Sequence, residues 1–269
     1  MKNMVYASDL SVYAFCSRKI YLSRVLGLGE KPNEQMYRGM IEHNLRKDLS
    51  LRYSRILSQV SEPKEIGAVV DREIDSIISG FPSKHRGLVN QAPDGVDFNM
   101  LLHELVAGLH EEKPALKRKF EFMVEEAGLK GAIEEVTPWR RGYLLGSKRL
   151  GFSGKIDKVL RRKNSYLPVE VKTGEVPSSV WWGDRLQLTA YSLLLEEEFD
   201  CVDVLFSIVE FTRTLERRPV RITQRLRSEV LEVRDDIIRI LEGFVPEVCC
   251  HGNRNKCGSC SLRAECYSI

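Results

Sequence analysis

The sequence predicts an α/β fold in which a sheet of short strands is flanked by helices. In the first 60 residues, apolar side chains recur every three or four positions, which is typical of helices with one buried face. From Gly131 onwards, short apolar segments of strand character alternate with two longer helical patterns. The chain has 269 residues and 43% hydrophobic content, enough for a large core.

The N-terminal half is predicted to be helical. Apolar periodicity indicates helices over residues 6–26, capped by Ser8, and over 34–60, separated by the turn-forming segment GLGEKPN. Residues 61–130 carry two or three further helical patterns, interrupted by SGFPSKHRG and NQAPDG. We interpret this stretch as a helical insertion.

The C-terminal half is predicted to form the sheet. The expected elements are strands over 142–150, 151–161 and 165–173, a helix over 180–199, strands over 201–211 and 218–222, and a helix over 223–243. Turn residues in RRKNS make the second and third strands a hairpin. The predicted organisation is N-terminal helices (1–60), a helical insertion (61–130), the core of the fold (131–244) and a cysteine-rich segment (245–269). The last segment is too short to form a hydrophobic core by itself.

Charge and composition restrict the partners only weakly. The formal charge of +3, from 41 basic and 38 acidic residues, neither demands nor excludes nucleic acid. Basic residues cluster at 117–119, 140–141, 148–149, 161–163 and 213–221, although most such clusters are solvated surface. Apolar runs stay short of the roughly 18–20 residues of a membrane span, and the N-terminus lacks a signal-peptide layout. We therefore expect a cytoplasmic protein without a membrane partner.

The segment LPVEVKTGEV places Glu170 and Lys172 on the same face of a strand, because side chains alternate with a period of two. Alone, this pair indicates an ordinary surface ion pair. The preceding strand, GFSGKIDKVL, brings Asp157 among apolar residues, and in a hairpin Asp157 and Glu170 can converge. Two carboxylates with the backbone carbonyl of Val171 suit Mg²⁺ or Mn²⁺. Lys172 can then assist a water or a phosphate, which is the chemistry of phosphodiester hydrolysis.

Two further features fit such a site. His43, on an N-terminal helix, can add a nitrogen ligand that favours Mn²⁺. Gln187 and Tyr191 lie four residues apart on one helix face, where they can contact a nucleic-acid backbone or orient an active-site group. Taken singly, each of these residues is more often a surface or structural residue.

The ordered set His43, GKID, EVKTG and QLTAY resembles the RecB-like branch of the PD-(D/E)XK nuclease superfamily. The resemblance implies a mixed sheet flanked by helices, which forms the nuclease core. It also implies roles for the residues above. The metal ligands would be His43, Asp157, Glu170 and the Val171 carbonyl; the catalytic lysine would be Lys172; the accessory motif would be Gln187 and Tyr191.

In a reducing compartment the seven cysteines are not expected to form disulfides, so metal or cluster binding is the first alternative. One early cysteine, Cys16, and three late ones, Cys257, Cys260 and Cys266, form a layout similar to that of the CRISPR-associated protein-four family. That resemblance implies a 4Fe-4S cluster held by these four thiolates. The cluster would attach the C-terminal segment to the N-terminal helix that carries Cys16.

Two departures from that family leave alternatives open. The chain is longer than compact members, with the excess in residues 61–130. Cys249, Cys250 and His251 also lie close enough in sequence to compete as ligands. A local zinc ribbon, built from Cys249 or Cys250 with the three late cysteines, is the alternative to the cluster.

The resemblance implies a metal-dependent DNA exonuclease that acts on single-stranded ends and trims DNA for CRISPR spacer acquisition. The expected partners are DNA and CRISPR adaptation proteins of an integrase complex, and a homo-oligomer is compatible with the sequence. Trp181 and Trp182, just before the Gln187 helix, can stack on bases or serve as core or interface aromatics. The alternatives are a RecB-like repair or replication nuclease without a CRISPR role, and an inactive DNA-binding scaffold with a structural metal cluster.

Overall fold

The computed structural model describes residues 4–29, 32–162, 165–200, 203–249 and 251–269. The helices are α1 (Ala7–Phe15), α2 (Ser17–Ile20), α3 (Glu34–Ser50), α4 (Tyr53–Ser58), α5 (Ile66–Lys84), α6 (Arg86–Val89), α7 (Phe98–Val136), α8 (Trp182–Phe199), α9 (Gln224–Leu241), α10 (Arg254–Gly258) and α11 (Arg263–Ser268). A π-helical turn (Tyr21–Val25) follows α2, and a 3-10 turn (Pro63–Glu65) precedes α5. The strands are β1 (Val5–Tyr6), β2 (Arg140–Ser147), β3 (Phe152–Arg162), β4 (Ser165–Lys172), β5 (Phe206–Phe211) and β6 (Glu216–Arg221).

The described strands form one mixed sheet. Its order is β1-β3-β4-β5-β6, with β2 paired to the other edge of β3. The β2/β3, β3/β4 and β5/β6 pairs are antiparallel, and the β1/β3 and β4/β5 pairs are parallel. The predicted hairpin of β3 and β4 is confirmed, as is the α/β class with a mixed sheet flanked by helices.

Two hydrophobic clusters lie on the two sides of this sheet. One joins the sheet to α1, α8 and α9, and the other lies among α3, α4, α5 and α7. The helical layer is tied to the sheet by Lys158 of β3, whose buried Nζ lies 2.5 Å from Glu210 Oε1 and 3.1 Å from the Ser50 carbonyl oxygen. Burial lowers the pKa of Lys158, and the carboxylate of Glu210 opposes that shift. Removing Glu210 would leave Lys158 buried without its ion-pair partner, whereas Glu210 also pairs with Arg217 at 3.0 Å.

Several expected boundaries are wrong, each for a local reason. The helix predicted over 6–26 is interrupted at Cys16, whose backbone is extended (φ −164°). Its N-cap is Tyr6 instead of Ser8, and the Asp9 carboxylate accepts a hydrogen bond from the Tyr6 N–H at 2.9 Å. Strand character does not begin near Gly131, because α7 runs to Val136 across a break at Gly128 (φ +68°).

Two strand predictions also change. β1 is too short, at two residues, to produce an alternating pattern, and it was missed. The strand expected from Cys201 begins at Phe206 in the structure, and Cys201 itself lies outside the described residues. Among the helices described, none has the length and apolar character needed to cross a membrane.

Candidate active site and cysteine cavity

The candidate active site lies where β3 and β4 diverge. The last paired residues at this end of the hairpin are Lys158 and Val169, and the same register places Asp157 opposite Glu170. Beyond this point Asp157 Oδ2 accepts a hydrogen bond from the Val171 N–H at 3.0 Å. A side chain therefore satisfies a buried backbone donor where the strand ladder has ended. The N–H and C=O of a strand residue point to the same side, so the Val171 carbonyl also faces β3.

Asp157, which is buried, and Glu170, which is half-buried, form a cross-strand pair of carboxylates. Residues directly opposite each other on neighbouring strands have Cβ atoms about 4.5–5.5 Å apart, and like charges at that distance destabilise a sheet. Two lysines offset the repulsion. Lys47 of α3 pairs with Asp157 Oδ1, and Lys172 lies 3.4 Å from Glu170 Oε1. The carboxylates are thus held in place by cations from two different elements.

Lys172 bridges two acidic groups. Its Nζ lies 2.8 Å from Asp184 Oδ1, nearer than the 3.4 Å to Glu170 Oε1. Asp184 stands in the first turn of α8. The ammonium of the proposed catalytic lysine is therefore held mainly by a carboxylate outside the E-x-K motif.

The charges of the site shift its pKa values in opposite directions. Burial raises the pKa of Glu170 to about 7; the Lys172 ammonium opposes this shift, and Asp157 adds to it. Burial lowers the pKa of Lys172, but Glu170 and Asp184 outweigh burial and raise it above its usual value. Near neutral pH, Lys172 is charged while Glu170 is close to its titration midpoint.

His43 lies on α3, one helical turn before Lys47, at the same end of the sheet. Its Nδ1 is 3.2 Å from Thr173 Oγ1, directly after the E-x-K strand. Burial lowers the pKa of His43, and the nearby Lys47 ammonium adds to that effect. The imidazole is therefore neutral at physiological pH, which is the form that ligates metals.

Gln187 and Tyr191 form a buried hydrogen-bond relay. Ser11 Oγ lies 2.8 Å from Gln187 Oε1, Gln187 Nε2 donates to the Tyr191 hydroxyl at 2.9 Å, and that hydroxyl donates to the Lys155 carbonyl at 3.2 Å. A Cβ at Gly154 would lie 2.7 Å from the Tyr191 ring, so only glycine allows this approach. The relay fixes α8 against β3, two residues before Asp157.

The donor set of the site fits a hard divalent cation. Carboxylate and carbonyl oxygens suit Mg²⁺ and Mn²⁺, and an imidazole suits Mn²⁺ better. Within the described residues, however, no group of three or more His, Cys, Asp or Glu side chains is arranged to hold a metal ion. Asp157 is paired with Lys47 and Glu170 with Lys172. Metal binding would have to draw both carboxylates away from these lysines.

The pattern-based analysis did not identify Lys47 and Asp184 as members of the site. Lys47 follows His43 by four residues, which places the two on one face of α3. Asp184 precedes Gln187 by three residues, which places both on neighbouring turns of α8. Those spacings are the only signals in the sequence that could have indicated them.

Four cysteines from opposite ends of the chain line a single cavity. They are Cys16, Cys257, Cys260 and Cys266, the set that the family resemblance implies as cluster ligands. Cys249 and His251 line the same cavity, with Cys249 Sγ 3.5 Å from Cys257 Sγ. The competing zinc-ribbon ligands are thus equally near, and Cys250 lies outside the described residues.

The cavity lining is basic. Lys19, Lys256 and Arg263 surround the thiols, and no carboxylate belongs to the lining that the structure describes. Hydrogen bonds with the Tyr267 hydroxyl and with Cys257 lower the pKa of Cys249, whereas the hydrogen bond with Cys249 raises the pKa of Cys257. Cysteine side chains are the donors that a thiolate-bound group needs, although the thiols described are not arranged as a ready ligand set.

Side chains from the N-terminal helices hold the C-terminal segment against this cavity. The buried Arg18 guanidinium donates to the Pro246 carbonyl at 2.6 Å and to the Cys266 carbonyl at 3.4 Å. In the reverse direction, Lys256 Nζ donates to the Ala14 carbonyl at 3.0 Å. The two ends of the chain meet through these contacts.

Comparison with known proteins agrees with the geometry. The sequence pattern of the PD-(D/E)XK nuclease superfamily matches residues 7–267, nearly the whole chain. The chain belongs to this superfamily. Asp157 on β3, followed by Glu170 and Lys172 on β4, has the order of acidic and lysine residues that the name of the superfamily gives.

Curated relatives narrow the comparison within this nuclease superfamily. The chain is 30% identical over 131 residues to a CRISPR-associated exonuclease Cas4 of Rhodospirillum rubrum, a match that covers 47% of the chain and 38% of the relative. Two CRISPR-associated exonuclease Cas4/endonuclease Cas1 fusions also match. The fusion of Rhodospirillum rubrum is 30% identical, with 47% of the chain and 22% of the relative covered. The fusion of Leptospira interrogans is 28% identical, with 45% of the chain and 23% of the relative covered. The chain thus spans well under half the length of these relatives.

Proposed function

We propose that the chain is a metal-dependent DNA exonuclease that acts on single-stranded ends and trims DNA for CRISPR spacer acquisition. The observation that carries the proposal is the cross-strand pair of Asp157 and Glu170, with Lys172 beside it, at the point where β3 and β4 diverge. The relatives named as CRISPR-associated exonucleases support the exonuclease activity and the CRISPR setting.

The metal would be Mn²⁺ or Mg²⁺, held by Asp157, Glu170, the Val171 carbonyl and His43. When bound, such a cation supplies an activated water and stabilises negative charge on the phosphate. The Val171 N–H and its carbonyl lie on the side of β4 that faces Asp157, so the backbone helps to orient that carboxylate.

The other side chains of the site contact the reacting groups or orient the metal ligands. Lys172 carries its charge near neutral pH and can donate a hydrogen bond to the attacking water or to a phosphate oxygen. Gln187 and Tyr191 are buried and bonded to each other, which favours an orienting role over direct contact with DNA. Through Lys155 they hold the strand that carries Asp157.

The four thiols Cys16, Cys257, Cys260 and Cys266 would hold a 4Fe-4S cluster. Their convergence in one basic cavity supports this assignment, because a thiolate-bound cluster is anionic. The domain division stays a prediction, in which the cysteine-rich segment (245–269) is docked on the N-terminal helices (1–60).

A partner follows from the fused relatives. Two of them join the exonuclease Cas4 to the endonuclease Cas1 in one chain. We expect this chain to associate with a separate protein of the Cas1 type within an integrase complex.

Digestion of labelled DNA tests the proposal. Purified protein is incubated with 5′- or 3′-labelled single strands, matched duplex and circular single strands, in Mn²⁺, Mg²⁺ or EDTA. We expect shortening of linear single strands with either metal, none in EDTA and little attack on circles. Equal cleavage by the Asp157→Ala variant would contradict the catalytic assignment. Binding without cleavage would favour the inactive scaffold. Activity without co-purification of a Cas1-type protein would favour a repair nuclease.

A further inference from the structure

A groove between the first turns of α8 and α9 carries exposed tryptophan and arginine next to the candidate active site. Its lining consists of Trp182, Arg185, Thr223, Arg225, Leu226 and Glu229. The groove encloses about 350 Å³, within the size range of small-ligand sites. Trp182 is 44% exposed and its neighbour Trp181 is 66% exposed, which is unusual for residues of this size.

The indole of Trp182 is held in a fixed orientation. Its Nε1 donates to Glu229 Oε2 at 3.2 Å, while Arg225 Nε donates to Glu229 Oε1 at 2.8 Å. One carboxylate thus orders an aromatic ring and a guanidinium from two helices. A ring that is already ordered loses little conformational entropy when a planar ligand stacks on it.

The charge of the groove favours an anionic ligand. Glu229 is already paired with Arg225 and with the Trp182 indole, so its charge is offset. Arg185 forms no ion pair within the part of the chain that the structure describes and remains exposed. The exposed Arg221, at the end of β6, lies two residues before Thr223. An excess of guanidinium groups beside an aromatic face fits a base and its adjoining phosphate.

The groove is close to the site of cleavage. Asp184, which contacts Lys172 at 2.8 Å, lies between Trp182 and Arg185 in the first turn of α8. A helix rises only 1.5 Å per residue, so the three residues belong to one short segment, although the side chain of Asp184 leaves α8 from a different face than those of Trp182 and Arg185. A strand whose phosphate lies at Lys172 can place a neighbouring nucleotide in the groove.

We propose that this groove binds a base and phosphate of single-stranded DNA by stacking on Trp182 and pairing with Arg185 and Arg225. The assignment rests on the proposed nuclease function for the origin of the strand. It adds a subsite, because none of these three side chains belongs to the carboxylate centre.

Tryptophan fluorescence measures the stacking directly. The chain has three tryptophans, and the third, Trp139, packs against Tyr143, Tyr166 and Phe199 away from the groove. Titrations in EDTA use a thymidine oligonucleotide, an abasic strand of equal length and a duplex. We expect the thymidine strand to quench the fluorescence and the abasic strand to quench it much less. A W181F/W182F variant, in which only Trp139 emits, should show no quenching.

Affinity measurements give the energetic test. Loss of one base–aromatic stack in Trp182→Ala should weaken binding by about tenfold, within the usual range for such stacks. Arg225→Gln should lower the slope of log affinity against log salt by about one. Arg239→Gln removes an exposed, carboxylate-paired arginine near the other end of α9 and serves as the matched control. Thermal unfolding midpoints confirm that each variant is folded.

The outcomes separate this subsite from the nuclease function. Quenching without any cleavage by the wild-type protein would leave the subsite supported and the proposed function rejected. Cleavage with equal quenching by abasic and thymidine strands would overturn the stacking subsite alone. Unchanged affinity in folded Trp182→Ala, or an equal loss in Arg239→Gln and Arg225→Gln, would also overturn it.

Discussion

The carboxylate centre and the cysteine cavity are the two places where we propose a metal group, but the protein builds them differently. Asp157 and Glu170 stand on neighbouring strands whose register fixes them opposite each other. The cysteines come from the end of α1 and from the last 21 residues, where short helices have little core of their own. One site is positioned by the sheet, and the other by the meeting of two chain ends.

The two sites also differ in how charged groups are arranged around them. In the carboxylate centre, Lys47 and Lys172 pair with the carboxylates of Asp157, Glu170 and Asp184. The lining of the cavity that the structure describes holds cations and thiols but no carboxylate. The first site thus carries both signs of charge without metal. In the second, anionic charge would come from thiolates and what they bind, so its order should depend far more on what it binds.

The largest expected effect is loss of cleavage on removal of a carboxylate. Asp157→Ala and Glu170→Ala should each abolish DNA digestion, because each removes a proposed metal ligand. The loss should exceed the roughly 10–100-fold that removal of an outer-shell partner costs. Thermal unfolding should show that both variants stay folded, since the sheet and not the metal positions this site. If either variant unfolded at the assay temperature, the carboxylate centre would not be positioned by the sheet alone, and it would no longer differ from the cavity in this respect.

Lys172→Ala should be nearly as damaging to turnover while leaving Mn²⁺ affinity largely intact, because an ammonium cannot ligate a cation. The two properties are measured by single-turnover digestion and by calorimetry on the same preparation. Lys148→Ala, at an exposed position in the turn after β2, is the matched control. If metal binding disappeared together with activity, Lys172 would organise the site instead of assisting attack.

Cys16→Ser should affect the other region. If Cys16 shares one cluster with the three late cysteines, the variant should lose iron, sulfide and colour, and its C-terminal segment should become sensitive to protease. The unfolding midpoint should fall by at least a few degrees, since about 1 kcal/mol corresponds to ~2–4 °C in a domain of this size.

Cys249→Ser is the matched control for that experiment, because Cys249 lines the same cavity. The cluster assignment predicts full metal retention in Cys249→Ser and loss in Cys16→Ser. A zinc ribbon predicts zinc instead of iron, full retention in Cys16→Ser, and loss in Cys249→Ser or in Cys250→Ser, whichever cysteine is the ligand. Metal analysis of the three variants, purified without oxygen, therefore decides between them.

The difference between the regions also explains what the sequence could predict. The hairpin of β3 and β4, and with it the approach of Asp157 to Glu170, follows from local alternation and turn residues. The place of Lys47 and Asp184 depends on how α3 and α8 pack on the sheet, which no local pattern encodes.

Element ends were the least predictable feature. The break at Cys16 interrupts a continuous helical pattern, and the approach of the C-terminal segment to that break involves residues more than 200 positions away. The convergence of Cys16 with the late cysteines could be inferred only from the family layout. Neither spacing nor periodicity relates the two ends of the chain.

A smaller effect is expected at Asp184, which holds Lys172 from outside the motif. In Asp184→Asn, the nearest anion left to Lys172 is Glu170, so the lysine should move towards a proposed metal ligand. Turnover should fall by roughly 10–100-fold, as is usual for outer-shell partners, and Mn²⁺ affinity should weaken.

Asp184→Glu should restore part of both the turnover and the Mn²⁺ affinity. Asp235→Asn, which removes an exposed partner of Arg234, should change neither. A loss of turnover in Asp184→Asn with unchanged Mn²⁺ affinity would show that the lysine does not move onto Glu170.

The smallest expected effect is a pH dependence of metal binding by the carboxylate centre. Burial raises the pKa of Glu170 to about 7, so the carboxyl is mostly protonated below that pH and ionised above it. Because the metal binds the carboxylate, Mn²⁺ affinity should rise by about tenfold per pH unit below 7 and level off above it, with one proton released per ion at low pH. The same shift makes the protonated carboxyl favour folding at low pH, so this contribution to the stability of the metal-free protein is lost as pH rises through about 7.

Calorimetry from about pH 6 to 8, in buffers with different ionisation enthalpies, measures both the affinity and the proton count. His43 contributes little, since burial lowers its pKa and keeps it neutral over most of this range. Glu170→Gln, which cannot ionise, should bind Mn²⁺ more weakly and without this slope. An affinity that stays flat across the range in the wild-type protein would show that Glu170 is ionised throughout, and that Lys47 and Lys172 offset its burial in solution.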